Sequence, residues 1–231
     1  MPVSQPVRPE RRRAPRNSLN PDRILDAAVT LLDRDGIESF TMRALAEQLG
    51  VATMAVYSYF KGKDEIHDAV ALRLLNTIEL PPSGSADPGC ELRDVCRGVY
   101  RLFTEHPSAL PLLTLRPVRG GDAIAVIERM LALLCRSGLR PDEAARVQVA
   151  LMQYTVGSAL WNIRRARALR DESVRDRVRA KLDTLPAERY PALVALAPEL
   201  MCAKGDGTAQ YELGLDAMLR GLLPERPGTT A

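Results

Sequence analysis

Residues Thr41 to Phe60 constrain the fold more than any other stretch. Two apolar-patterned segments, each too short to persist as a lone helix, are joined by only Gly50, Val51 and Ala52. Such segments hold only when docked on neighbours. Thr41 is placed to cap the first, which runs to Leu49 with Leu45, Ala46 and Leu49 inward, and Gly50 supplies a residue able to take positive φ at its end. The second runs from Thr53 to Phe60. At about 100° per residue, Ala52, Val56 and Phe60 share the core side while Thr53, Met54, Tyr57 and Ser58 point away. Two short helices about a tight glycine turn predict a helix-turn-helix.

The flanking sequence supplies the docking partners. Asn20 and Pro21 form a cap and first-turn pair, and Ile24, Leu25, Ala28, Leu31 and Leu32 follow at helical spacing until Gly36, which predicts a helix from about Pro21 to Asp35. After Lys61, Gly62 and Lys63 another helix is expected from Asp64 to about Thr77, with Ile66, Ala69, Val70, Leu74 and Ile78 inward. Pro81 to Gly89 then interrupts the helical pattern. Beyond it helices are expected from about Cys90 to Glu105, Asp122 to Arg136, Pro141 to Leu169 and Thr208 to Leu223, with a broken stretch through Pro107, Pro111 and Pro117. Aromatics are only 4% of the chain, and Ala, Leu and Arg abound, so the class is all-α. The expected organisation is a basic arm over 1–18, a small helix-turn-helix unit with its connecting helix over 19–79, a larger helical unit over 90–224, and a tail over 225–231.

The long helix carries Val147, Leu151, Tyr154, Ser158 and Trp161 on one face and Val149, Met152, Val156, Leu160 and Ile163 on another, so it must be packed on two sides. Gly214 and Gly221 leave one face of the last helix open to close approach. Two helices from each of two chains predict a four-helix bundle across a two-fold axis, hence a homodimer; the alternative is that both helices fill the core of a single chain.

Several functions drop out. No long uncharged apolar window and no apolar leader are present, so a cytoplasmic chain with no membrane partner is expected. Cys90, Cys96, Cys135 and Cys202 form no C-x-x-C, and His67 and His106 complete no zinc spacing, so no metal or cofactor is expected and the thiols read as reduced and mostly buried. Phosphate-loop, dinucleotide and nucleophile-elbow motifs are absent, and no nucleophile, base and orienter set appears. The expectation is a non-enzyme.

TMRALAEQLGVATMAVYSYFKGKDEI, Thr41 to Ile66, resembles the signature of the TetR (tetracycline repressor) family of transcriptional regulators. The carrying positions are Thr41, Arg43, Leu45, Ala46, Gly50, Val51, Val56, Tyr57, Tyr59, Phe60 and Lys63. The resemblance implies a ligand-responsive regulator, a repressor freed from double-stranded operator DNA by a small-molecule effector; the alternatives are an activator, a regulator without a ligand, a helical enzyme with a DNA head, or a DNA-coating protein. It also implies phosphate contacts from Thr41, Arg43, Tyr57, Tyr59 and Lys63, with Met42 beside them. Thr53, Met54, Ala55, Tyr57, Ser58 and Tyr59 suit the approach to base edges in the major groove. Tyr59 has a second reading, a ring packed beside Phe60.

More weakly, LLTLRP, LCRSGLRPDEA, the long helix with Gly157 and Trp161, and YELGLDAMLRGL resemble the regulatory domain of the tetracycline repressor subgroup. The positions matching that subgroup's metal histidines hold Glu79 and Leu112, so the metal is not carried over. Candidate pocket residues are Tyr100, Phe103, His106, Arg116, Gln148, Met152, Tyr154, Trp161 and Asn162, polar or aromatic groups set in apolar helices. His106, beside Pro107, reads equally as a helix C-cap.

Charge is unevenly spread. Residues 1–18 hold five arginines against one glutamate, whereas 19–63 hold five basic and six acidic residues. The arm is therefore either a minor-groove reader or a solvated tail. Arg164 to Lys181, with eight basic and three acidic residues, is either a solvated surface or a second nucleic-acid surface.

Overall fold

The computed structural model describes residues 19–80, 87–114, 121–169, 172–203 and 207–224, and the described residues form helices without strands. The basic arm, the tail and Arg116 lie outside them. Four helices make the N-terminal unit: α1 (Pro21–Asp35), α2 (Met42–Leu49), α3 (Thr53–Tyr57) and α4 (Lys63–Leu75). Asn20 caps α1 by accepting from the Arg23 N–H at 2.8 Å, and Thr41 caps α2 by accepting from the Ala44 N–H at 3.1 Å. Gly50 ends α2 in the left-handed region at φ 67°, and its own N–H and that of Val51 turn back to the last carbonyls of α2. That closure lets α3 start after two residues.

Ile24, Ala28, Leu31 and Leu32 of α1, Leu45, Ala46 and Leu49 of α2, Val56 of α3, Ile66 and Val70 of α4, and the loop residues Phe40 and Phe60 bury one continuous core. Polar ties fix the frame: the Gln48 amide donates to the Ala27 carbonyl at 3.0 Å, and Arg73 of α4 bridges Asp22 and Asp26 of α1 at 2.9 and 2.6 Å. Leu45 is fully buried, and truncating such a side chain costs about 2–5 kcal/mol.

The larger unit is built from α5 (Pro88–Glu105), α6 (Ala109–Thr114), α7 (Gly121–Arg136), α8 (Pro141–Leu169), α9 (Glu172–Asp183), α10 (Pro191–Ala195), α11 (Ala197–Ala203) and α12 (Gly207–Leu222). Helix α5 is its axis, packed on α7, α8 and α12, while α6 and α7 lean on α4 and join the two units. Three tyrosines from α5, α8 and α12 stack in the centre: Tyr100 on Tyr211 with centroids 3.9 Å apart, and Tyr211 on Tyr154 at 5.6 Å. Arg93–Asp216 at 2.8 Å and Arg97–Glu212 at 2.7 Å tie α5 to α12. Glu91 is buried and meets Arg129 of α7 at 2.6 Å.

Four expectations need correction. Helix α3 stops at Tyr57, because Ser58 and Tyr59 turn the chain so that Phe60 can enter the core. The proline-broken stretch contains α6, since Pro111 falls in the first turn, where no N–H is required of it. Helices α10 and α11 fill a region with no expected helix. Only Cys96 among the cysteines is buried; all four are free thiols, but Cys90, Cys135 and Cys202 lie on outward faces.

Candidate nucleic-acid interface

The core dictates what the helix-turn-helix shows to solvent. Val56 and Phe60 anchor α3 from behind, so Met54, at 75% exposure, and Tyr57, Ser58 and Tyr59 stand outward, with Thr53 and Ala55 half-exposed at the rim. Lys61 and Lys63 follow in the turn into α4; the Lys61 N–H is held by the Glu65 carboxylate at 2.5 Å, which fixes the turn's path. Thr41 and Arg43 stand exposed at the start of α2. Thr41 spends its oxygen as an acceptor in the cap, which leaves the hydroxyl proton for a phosphate. Arg43 pairs with Glu47 one turn on at 2.9 Å, an exposed bridge that a phosphate can replace at little cost.

Three expected contacts change character. Met42, only 8% exposed, belongs to the core: as the first residue of α2 it lies on the same side as Leu45, Ala46 and Leu49. It supports the surface without forming it. The Tyr59 hydroxyl donates to the Leu19 carbonyl at 2.6 Å, so the residue fastens the end of α3 to the entrance of α1. The Ser58 hydroxyl likewise donates inward, to the Ala55 carbonyl at 2.6 Å. Lys61, absent from the expected set, was signalled by its place beside Gly62 and Lys63.

None of the cavities lined by described residues gathers all the candidate pocket residues. Tyr100 and Phe103 are core side chains, the former stacked on Tyr211. His106 is the C-cap residue of α5, and its Nδ1 lies 2.8 Å from Asp33 of α1. Gln148 and Met152 are half-buried on α8. Tyr154, Trp161 and Asn162 do share a cavity of about 550 Å³ along α8, α11 and α12, with Gln153, Arg165 and Leu200 also in its wall. Trp161 is 67% exposed at this groove, so it is not a core residue. The Asn162 amide donates to the Tyr100 hydroxyl at 2.7 Å and to the Gly207 carbonyl at 2.9 Å. One Arg165 nitrogen is buried without a partner, and burial lowers the guanidinium below its ordinary pKa. No three metal-ligating side chains are grouped among the described residues.

A short helix backed by Val56 and Phe60, joined by a tight glycine turn to the helix before it and presenting Thr53, Met54, Ala55, Tyr57 and Ser58 outward, defines a helix-turn-helix DNA-binding regulator. Comparison with known proteins makes the class specific. Residues 24–70 match the bacterial regulatory proteins of the tetR family, and residues 81–225 match the tetracyclin repressor-like C-terminal domain. The chain belongs to the tetR family of transcriptional regulators. It is 29% identical to the HTH-type transcriptional repressor DrrR1 of Streptomyces coeruleorubidus, over 95% of this chain and 84% of that protein. It is 27% identical to the class C tetracycline repressor of Escherichia coli, over 89% of this chain and 91% of that one. The structure of ActR from Streptomyces coelicolor in complex with actinorhodin superposes with a TM-score of 0.73 at 28% identity, covering 89% of this chain and 96% of that one. Among the described residues no helix is long and apolar enough to cross a membrane.

Proposed function

We propose that the chain is a homodimeric cytoplasmic repressor that grips double-stranded operator DNA through two copies of residues 19–79 and is released by a small-molecule effector acting on residues 90–224. It works by binding, not by turnover. The observation that carries the reading is the outer face of α3, where Met54, Tyr57 and Ser58 stand exposed on a helix whose opposite side is locked by Val56 and Phe60. Thr53, Met54, Ala55, Tyr57 and Ser58 face the major groove, Met54 and Ala55 offering apolar contact to thymine methyls. Thr41, Arg43, Lys61 and Lys63 take the phosphates.

The second copy seats on α8 and α12. Their outward side carries Gly157 and Trp161 on one helix and Leu213, Ala217 and Gly221 on the other, small and apolar residues left uncovered by the rest of the chain. A two-fold mate would roof the cavity that holds Tyr154, Trp161 and Asn162. The similarity to ActR, solved with actinorhodin bound, supports an effector-driven release and supplies a first probe.

The test is selection of bound sequences from a random duplex pool, followed by footprinting. Expected is a two-fold symmetric site of fixed length whose half-sites lie one helical turn, roughly 34–36 Å, or a multiple apart. Binding without sequence preference, or coverage that spreads along the duplex, would overturn the proposal. An effector that favours the non-binding arrangement weakens operator affinity about 5- to 150-fold, and actinorhodin is the first compound to titrate.

A further inference from the structure

The head is joined to the larger unit by more than the chain. Helix α4 packs on α1 within the head and on α6 and α7 outside it. A body held along one helix can still rock about that line. Asp33, in the last turn of α1, supplies an attachment away from it. Its Oδ1 accepts from the Ser108 hydroxyl at 2.6 Å and from the Ser108 N–H at 3.1 Å, and its Oδ2 lies 2.8 Å from His106 Nδ1, which therefore carries the proton and donates. These donors belong to the junction between α5 and α6, more than seventy positions along the chain from Asp33. Ser108 is buried, and the Asp33 carboxylate is three-quarters shielded, so its charge is poorly screened and its bonds are of the stronger, charge-assisted kind.

We propose that Asp33 is a positioning residue, a clamp that makes the place of α6 dictate the tilt of the DNA-reading head. Inside the head, Ile24, Ala28 and Leu31 of α1 share one buried core with Ile66 and Val70 of α4, and Arg73 adds bonds to Asp22 and Asp26, so α1 and α4 move as one piece. A shift of α6 therefore reaches α3 by two routes, through α4 and through Asp33. Loss of the carboxylate leaves the buried Ser108 donors unpaired and frees the head to rock, without touching any residue of the DNA surface. The clamp rests on the reading of the protein as a two-headed DNA binder, because tilt matters only where two heads must meet two grooves at once.

The experiment compares the selected operator with a duplex carrying a single half-site, using the full-length chain, Asp33→Ala, Ser108→Ala and the double variant. Expected is a loss of about 5-fold or more on the full operator for Asp33→Ala, with single half-site affinity unchanged and the double variant no worse than Asp33→Ala alone. Equal losses on both duplexes would mean that the substitutions merely weaken the head, and no loss on either would mean that the bonds carry no position. Both results overturn the clamp. If the wild-type chain gains nothing from the second half-site, the two-headed reading has failed, and amide hydrogen exchange decides the clamp separately. Asp33→Ala must then speed exchange in both Pro21–Asp35 and Ala109–Thr114, and a change confined to residues 106–108 overturns it.

Discussion

At the scale of single residues, neighbours on the same face of α3 and its turn do different work. Tyr57 and Tyr59 are equally exposed, yet only Tyr59 spends its hydroxyl inside the protein, on the Leu19 carbonyl. Tyr59→Phe should lower stability by about 0.5–1.5 kcal/mol, the net worth of one such bond. Tyr57→Phe should leave the melting temperature unchanged and weaken operator binding. Differential scanning calorimetry with titration of the selected operator checks both, and a stability loss in Tyr57→Phe would sink the distinction. Helical spacing in the sequence separated Val56 from Met54 because that periodicity is a property of the backbone, but it failed at the helix ends: Ala52, expected inward, is exposed at the N-cap, and Phe60 reaches the core through the turn after Tyr57. Spacing could not find the Tyr59 bond, whose acceptor is a main-chain carbonyl forty positions earlier. Met42 misled for a related reason: at the first position of a helix, the inward direction depends on how the preceding loop enters. His106 was legible as a C-cap, but its partner on α1 was not.

At the scale of elements, α12 carries two glycines with opposite roles. A Cβ on Gly214 would fall into the Tyr154 phenol, whereas one on Gly221 meets nothing within 4 Å in the same chain. Gly214→Ala should cost about 1–3 kcal/mol by overpacking and displace Tyr154 from its bonds to the Gln210 and Tyr211 carbonyls. Gly221→Ala should leave the protomer's fold intact and, if the second copy seats there, weaken dimerisation. Denaturant midpoints and sedimentation equilibrium separate the effects, and unchanged association in Gly221→Ala would move the interface elsewhere. The sequence anticipated close approach at both glycines, and the structure assigns the first to the chain's own Tyr154. Helix α6 escaped because Pro111 was read as a breaker, whereas a first-turn proline is tolerated. Helices α10 and α11 are too short to show a periodicity.

The stacked tyrosines tie α5, α8 and α12 to pH. Burial raises the Tyr211 pKa far above the ordinary 10.0, the Thr155 hydroxyl opposing weakly, and burial pushes the Cys96 thiol from 9.0 up to about 12. Both groups stay neutral in the fold while their counterparts in the unfolded chain ionise. The folded state then binds more protons, so stability is fully present below pH 9 and falls as pH rises. Tyr211 contributes a slope of up to about 1.4 kcal/mol per unit above pH 10. Urea midpoints from pH 8 to 11 should decline in that window, with a shallower decline in Tyr211→Phe. A midpoint that holds constant to pH 11 would show that the centre of the bundle admits solvent.

At the scale of the whole molecule, the puzzle is how a reading head that is not basic finds a polyanion. The chain's net charge is only +3, and residues 19–63 are slightly acidic. Arg43 is already paired with Glu47, which leaves Lys61 and Lys63 as the nearest positive groups beside α3. The five arginines of residues 1–18 directly precede α1, where the Leu19 carbonyl is bound by Tyr59 at the end of the recognition turn. Leu19, which follows those arginines in the chain, therefore lies beside the DNA-facing surface, and no other stretch next to the reading head in sequence is as rich in positive charge. Deleting residues 1–18 should weaken operator binding most at low salt and flatten the dependence of log K on log salt by about 0.9 for each phosphate that the arm neutralises. Binding measured between low and physiological salt checks this. Unchanged affinity together with an unchanged slope would reduce the arm to a solvated tail and leave the placed groups, Thr41, Arg43, Lys61 and Lys63, as the whole phosphate grip.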